Sequence, residues 1–119
     1  MAGFSLEQRD LDPGYCEISV EGELDLAVAG ELDEAIAGVD AGYVGLVVGL
    51  AACEFIDSTG IAVILRARRR FVAEGRRLVV CCPADQVERI LAVTGLSRDG
   101  LVYESLDDAL AALRPDADG

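Results

Sequence analysis

The chain has 119 residues, 52% of them apolar, with three prolines, no histidine and a net charge of −12. That length suits one compact core, and the composition excludes a disordered chain. Without histidine, serine–histidine and cysteine–histidine nucleophile pairs, the commonest general base and most transition-metal sites are excluded too.

The first strand signals are "FSLEQR" and "YCEISVEG", which alternate apolar and polar residues and set Phe4, Leu6, Cys16, Ile18 and Val20 on one side. "DLDPG" between them supplies a turn through Pro13 and Gly14, so a hairpin is predicted. After Gly22 the period changes: Leu32, Ala35, Ile36 and Val39 follow helical spacing, with Asp25 as the predicted N-cap and Gly38 as the stop. "YVGLVVGLAACEF" reads as a strand covered on both faces. A helix is predicted from Ser58, with Ile61, Ile64, Leu65, Phe71 and Val72 as its apolar stripe and Glu74-Gly75 at its end. "RRLVVCC" is a buried strand, and Pro83 opens the helix "ADQVERILAVTG", stopped by Gly95. A short strand at "GLVYE" and a helix "SLDDALAAL", capped by Ser105, follow.

Strands alternating with helices imply right-handed crossovers and a largely parallel sheet, with the hairpin adding an antiparallel strand at or near an edge. A single domain over 1–119 is expected, with a core of about 4–113 and a tail at 114–119. The apolar runs fall short of the ~20 residues that cross a bilayer, and "MAGFSLEQRD" has no basic segment followed by an apolar stretch. A cytoplasmic location without membrane insertion is expected. The four cysteines, with Cys81 and Cys82 adjacent and Cys16 and Cys53 isolated, read as small apolar filler.

Residues 1–59 hold 13 acids and one base, Arg9, while residues 60–119 hold nine of each sign. The acidic half repels nucleic acid and anionic lipid, so neither is an expected partner. Six arginines fall between Arg66 and Arg77; they read as a solvated helix face or as a patch for an acidic partner.

The chemistry concentrates at "EFIDSTGIAVIL", where Asp57-Ser58-Thr59-Gly60 stands between a strand and a helix. Functional groups gather at such strand-to-helix junctions in open α/β sheets. There is no GxxxxGK[ST] loop and no GxGxxG after a strand, so an enzyme is not expected. A phosphate-accepting aspartate at Asp57 is set aside, because the chain has no lysine to accompany it. A hydroxyl at Ser58 is the better acceptor: free N–H groups and the positive end of the helix dipole favour a phosphate there. Thr59 is a second hydroxyl. Gly60 is expected to give a partner close approach, and Asp57 to cap the turn. The bland reading is a strand-to-helix cap with no further role.

"GELD", "FIDSTGI" with its amphipathic helix, "EGRRLVVCCP" and "ILAVTGL", in that order over residues 4–113, resemble the STAS domain of anti-sigma factor antagonists, also called anti-anti-sigma factors. The resemblance implies the STAS fold, a mixed and mostly parallel α/β sheet with an N-terminal antiparallel hairpin and about four helices. It implies that Ser58 is phosphorylated by an anti-sigma factor with serine kinase activity, and that a phosphatase reverses this. Asp57, Thr59 and Gly60 would support the acceptor, while Glu23, Asp25, Ser58, Ile61, Arg66 and Arg69, with Arg70 nearby, would face the partner. ATP would belong to the kinase, so no cofactor is expected. Related sequences often carry Asp or Asn where this chain has Gly49, which implies a missing polar neighbour of the serine loop. Two rivals are a constitutive STAS module of a lipid-transport complex or signalling scaffold, and a weak nucleotide-binding or hydrolysing activity.

Overall fold

The computed structural model describes residues 3–95 and 100–114. Its elements are β1 (Ser5–Asp10), β2 (Tyr15–Leu24), α1 (Ala29–Ala37), β3 (Gly45–Ile56), α2 (Ser58–Ala73), β4 (Arg77–Cys81), α3 (Asp85–Val93), β5 (Val102–Tyr103) and α4 (Leu106–Leu113). The last residue of "ILAVTGL" and the tail beyond Arg114 lie outside the described residues.

The five strands form one sheet in the order β1-β2-β3-β4-β5. β1 runs antiparallel to β2 and forms an edge, as the turn-linked alternation predicts, and every other pairing is parallel. Ile18, Val20, Leu46, Val48, Leu50, Leu78 and Val80 meet Leu32, Ile36, Ile64 and Phe71 of α1 and α2 in the main core. On the opposite face a smaller cluster joins Val47, Val79 and Cys81 to Ala109 and Leu113 of α4. Each fully buried Leu or Ile contributes about 1.5–3 kcal/mol, so this two-sided sheet is the frame to which the loops attach.

β3 departs from the expected strand in one respect. Gly45–Leu50 is buried on both faces, but Ala51, Ala52, Glu54 and Phe55 are exposed. The second half extends past Cys81, the last residue of β4, and is paired only with β2, whose register shifts twice between Ser19 and Glu23. A two-stranded extension therefore delivers the chain to Asp57.

α2 also presents a different face to the core. The buried positions are Gly60, Val63, Ile64, Ala67 and Phe71, whereas Val72 is 62% exposed. Residues 71 and 72 are 100° apart on a helix, and the small Gly60 and Ala67 let the helix sit close to the sheet. The ends follow expectation: Gly38 is the C-cap of α1, Gly75 adopts φ +74 after Glu74, and the Ser105 hydroxyl accepts from Asp108 N–H at 3.1 Å.

Candidate phosphorylation site

The turn after β3 is built around one carboxylate. Asp57 is extended, at φ −109 and ψ −176, and is the N-cap of α2. Its Oδ1 accepts from Thr59 N–H at 2.9 Å, from Gly60 N–H at 3.2 Å and from the Thr59 hydroxyl. Its Oδ2 accepts from Leu26 N–H at 3.2 Å. The Thr59 hydroxyl leads these donors in holding the Asp57 carboxyl below the usual carboxylate range.

Ser58 is the first residue of α2 and is exposed. Its hydroxyl has no hydrogen-bond partner among the described residues, whereas the half-buried Thr59 has donated its own to Asp57. Helical spacing aligns Ser58 with Ala62, Leu65, Arg69 and Val72, a stripe exposed at Ser58, Arg69 and Val72 and half-buried at Ala62 and Leu65. Arg66 borders that stripe, and neither Arg66 nor Arg69 has an ion-pair partner among the described residues. Arg70 instead reaches Asp33 of α1 at 3.3 Å. Arg76 stacks 4.0 Å over Phe71 and donates to the carbonyl of Tyr43, and Arg77 donates to Ala112. The arginine run is thus split between an outward pair and residues that tie elements together.

Three expectations change. Asp25 does not cap α1: the N-cap is Val28, which makes no side-chain cap hydrogen bond, and Asp25 opens a tight turn by accepting from Ala27 N–H at 3.0 Å. The Val28 and Ala29 N–H groups already bond the Asp25 carbonyl, so the turn intervenes before the helix begins. Gly60 is not open to a partner; it is buried, and a Cβ there would lie 2.7 Å from Leu24 Cγ. Gly49 does not border the serine turn. It pairs with Ser19 and Cys81 in the middle of the sheet, and the Glu17 carboxylate occupies the space beside it.

Glu23 is exposed at the end of β2, and with Glu21, Glu54, Phe55 and Asp85 it lines a broad groove beside the two-stranded extension. Ile61 is half-buried against the main core and presents only part of its side chain. Leu26 was not singled out by sequence reasoning: it is 75% exposed, and its N–H is bonded to Asp57. The available signal was an apolar residue directly after "GELD" that fits neither the strand nor the helical stripe.

With this geometry in view, the chain compares with known proteins as follows. The STAS domain family model matches residues 7–109, and the chain belongs to that family. A Thermotoga maritima protein named as an anti-sigma factor antagonist is 28% identical over 76 residues, 64% of this chain and 67% of that protein. The crystal structure of an anti-sigma factor antagonist from Mycobacterium paratuberculosis superposes with a TM-score of 0.83 at 32% identity, covering 95% of this chain and 96% of that one. The Bacillus cell fate determinant SpoIIAA in its phosphorylated form gives 0.68 at 19% identity, over 94% and 100%. Part of the murine anion transporter Slc26a9 gives 0.71 at 20%, over 86% of this chain and 18% of that chain. The last two likenesses establish the fold alone. No helix among the described residues is long and apolar enough to cross a membrane, and no group of three potential metal ligands occurs among them.

Proposed function

We propose that the chain is an anti-sigma factor antagonist of a bacterial partner-switching system, acting as one domain in the cytoplasm. Unphosphorylated, it binds an anti-sigma factor that is also a serine kinase and frees the sigma factor; phosphorylated on Ser58, it lets go. The observation that carries this reading is the contrast between two adjacent hydroxyls, Ser58 exposed without a partner and Thr59 engaged by Asp57. The docking face would comprise Glu23, Asp25 and Leu26, the serine turn with Ile61, and the outward Arg66 and Arg69. A phosphate adds about −1.5 to −2 charges to a turn that already carries Asp57, beside a loop that carries Asp25. Repulsion and desolvation then oppose an interface formed around a neutral serine. The chain is a substrate in this scheme: the kinase brings ATP, and a phosphatase resets the serine.

The test mixes the protein with anti-sigma serine kinases and Mg-ATP and follows intact mass and complex formation. Wild type gains one phosphate, Ser58→Ala gains none, and Ser58→Asp binds more weakly. If no kinase phosphorylates Ser58 and both variants bind partners like wild type, a constitutive STAS module replaces the switch.

A further inference from the structure

The serine turn and the loop after β2 share the Asp57 carboxylate, and its two oxygens serve different elements. Oδ1 holds the start of α2 through three donors. Oδ2 holds the Leu26 N–H. Within the loop, Ala27, Val28 and Ala29 all donate to Asp25. Leu26 is thus the residue whose amide fastens this loop to the serine turn, and its own side chain is 75% exposed.

The geometry points to Asp57 as a positioning residue that transmits the charge state of Ser58 to the Leu26 loop, so that a phosphate on Ser58 unfastens Leu26. This deepens the switch reading and rests on it. A phosphoryl group on Ser58 sets a second anion one residue from the carboxylate, and the two like charges repel. Asp57 must then shift away. The Oδ1 contacts comprise three bonds and the Oδ2 contact one, so the Leu26 bond is the one surrendered. The phosphate then acts on the docking face twice, by its charge and by releasing an apolar side chain from its fixed place.

The experiment needs no kinase: phosphoserine is installed at position 58 during translation, and amide hydrogen exchange is read residue by residue by NMR. Exchange at Leu26 is expected to rise about tenfold, the scale of one net hydrogen bond, while Thr59 and Gly60 stay protected. Asp57→Asn supplies the second arm. Its single oxygen can cap α2 but cannot also accept from Leu26, so Leu26 should exchange fast without any phosphate, and phosphoserine should add nothing further. Unchanged or slower exchange at Leu26 in the phosphoserine protein overturns the coupling. Capture by anti-sigma kinases is measured on the same samples. Lost capture with unchanged Leu26 exchange sinks the coupling and leaves the switch standing; faster exchange with full capture supports the coupling and removes the switch.

Discussion

The carboxylate of Glu17 fills the place beside Gly49: a Cβ on that glycine would lie 2.5 Å from Glu17 Oε2. Glu17 is only 6% exposed, and its Oε1 accepts from Arg9 Nε at 2.6 Å across the β1–β2 pair. Gly49→Asp therefore forces a second carboxylate against a buried one and should destabilise the protein by about 2 kcal/mol in urea unfolding. Adding Glu17→Ala to that variant should recover most of the loss. A double mutant no more stable than Gly49→Asp alone would show that the two positions do not share one space.

Asp57 links acid stability to the start of α2. Its carboxyl is held below the ordinary value, so its contribution is fully present above the unfolded-state pKa of about 3.9 and fades as pH falls through the lower folded value. Asp57→Ala should cost about 1 kcal/mol at neutral pH, the usual loss for an N-cap. The gap between variant and wild type should close below pH 4. Thermal melts of both proteins across pH 2–7 read this directly, and a gap independent of pH would mean the carboxylate charge is irrelevant to the cap.

Gly60→Ala tests which force governs the first turn. In an exposed helix interior this change stabilises by about 1 kcal/mol. Here the new methyl would meet Leu24 Cγ at 2.7 Å and the Leu24 carbonyl oxygen at 3.0 Å. The expected result is a loss of about 1–3 kcal/mol, as for other overpacked cores. A rise in melting temperature would show that α2 can move off the sheet at little cost.

Leu26→Ala separates stability from recognition. An exposed side chain contributes little to folding, so the midpoint of unfolding should stay within about 0.5 kcal/mol of wild type. Affinity for an anti-sigma partner should fall at least about tenfold, as for an apolar anchor at the centre of an interface. Calorimetric titration measures it, and an unchanged affinity would move the docking face away from the serine turn.

The cysteines should react in a fixed order. Burial pushes the Cys16 thiol up to about 11 and raises Cys53 and Cys81 as well. Cys82 is the one of the four that is half-buried, brought out by its left-handed φ of 58 after the end of β4. Iodoacetamide at pH 8 should therefore label Cys82 first, because its sulfur is the one not shut inside the core. Peptide mapping after one equivalent would reveal any other order.

Much of this architecture was legible because periodicity and punctuation agree: the two-residue alternation of Cys16, Ile18 and Val20, the helical spacing of Leu32 and Ile36, and the stops at Gly38, Gly75 and Gly95. The positions that differ from expectation do so for separate reasons. Gly60 and Ala67 face the core because they are small, a signal that apolar periodicity does not weigh, so periodicity alone puts Val72 on the wrong side of α2. Asp25 satisfies the local rule for an N-cap, yet the turn it forms delays the helix by three residues. Glu17 occupies a polar position of its strand, and its burial depends on Arg9 from the neighbouring strand and on the vacancy at Gly49. At the serine turn, the residue types announced a cap and an exposed hydroxyl. The division of the Asp57 oxygens between two elements depends on β2 ending beside β3, which sequence spacing alone does not reveal.

Ser58 makes none of the contacts that secure its own turn: Asp57 holds the cap, Gly60 fits against Leu24, and the serine hydroxyl faces outward without a partner among the described residues. The scaffold and the signal are consequently free to drift apart. A descendant of this chain could exchange the serine for alanine, fold as before, and lose the proposed phosphate acceptor without any trace in its stability. Under the proposed switch, a melting temperature would therefore report on the scaffold alone, and the state of the first residue of α2 would have to be read separately.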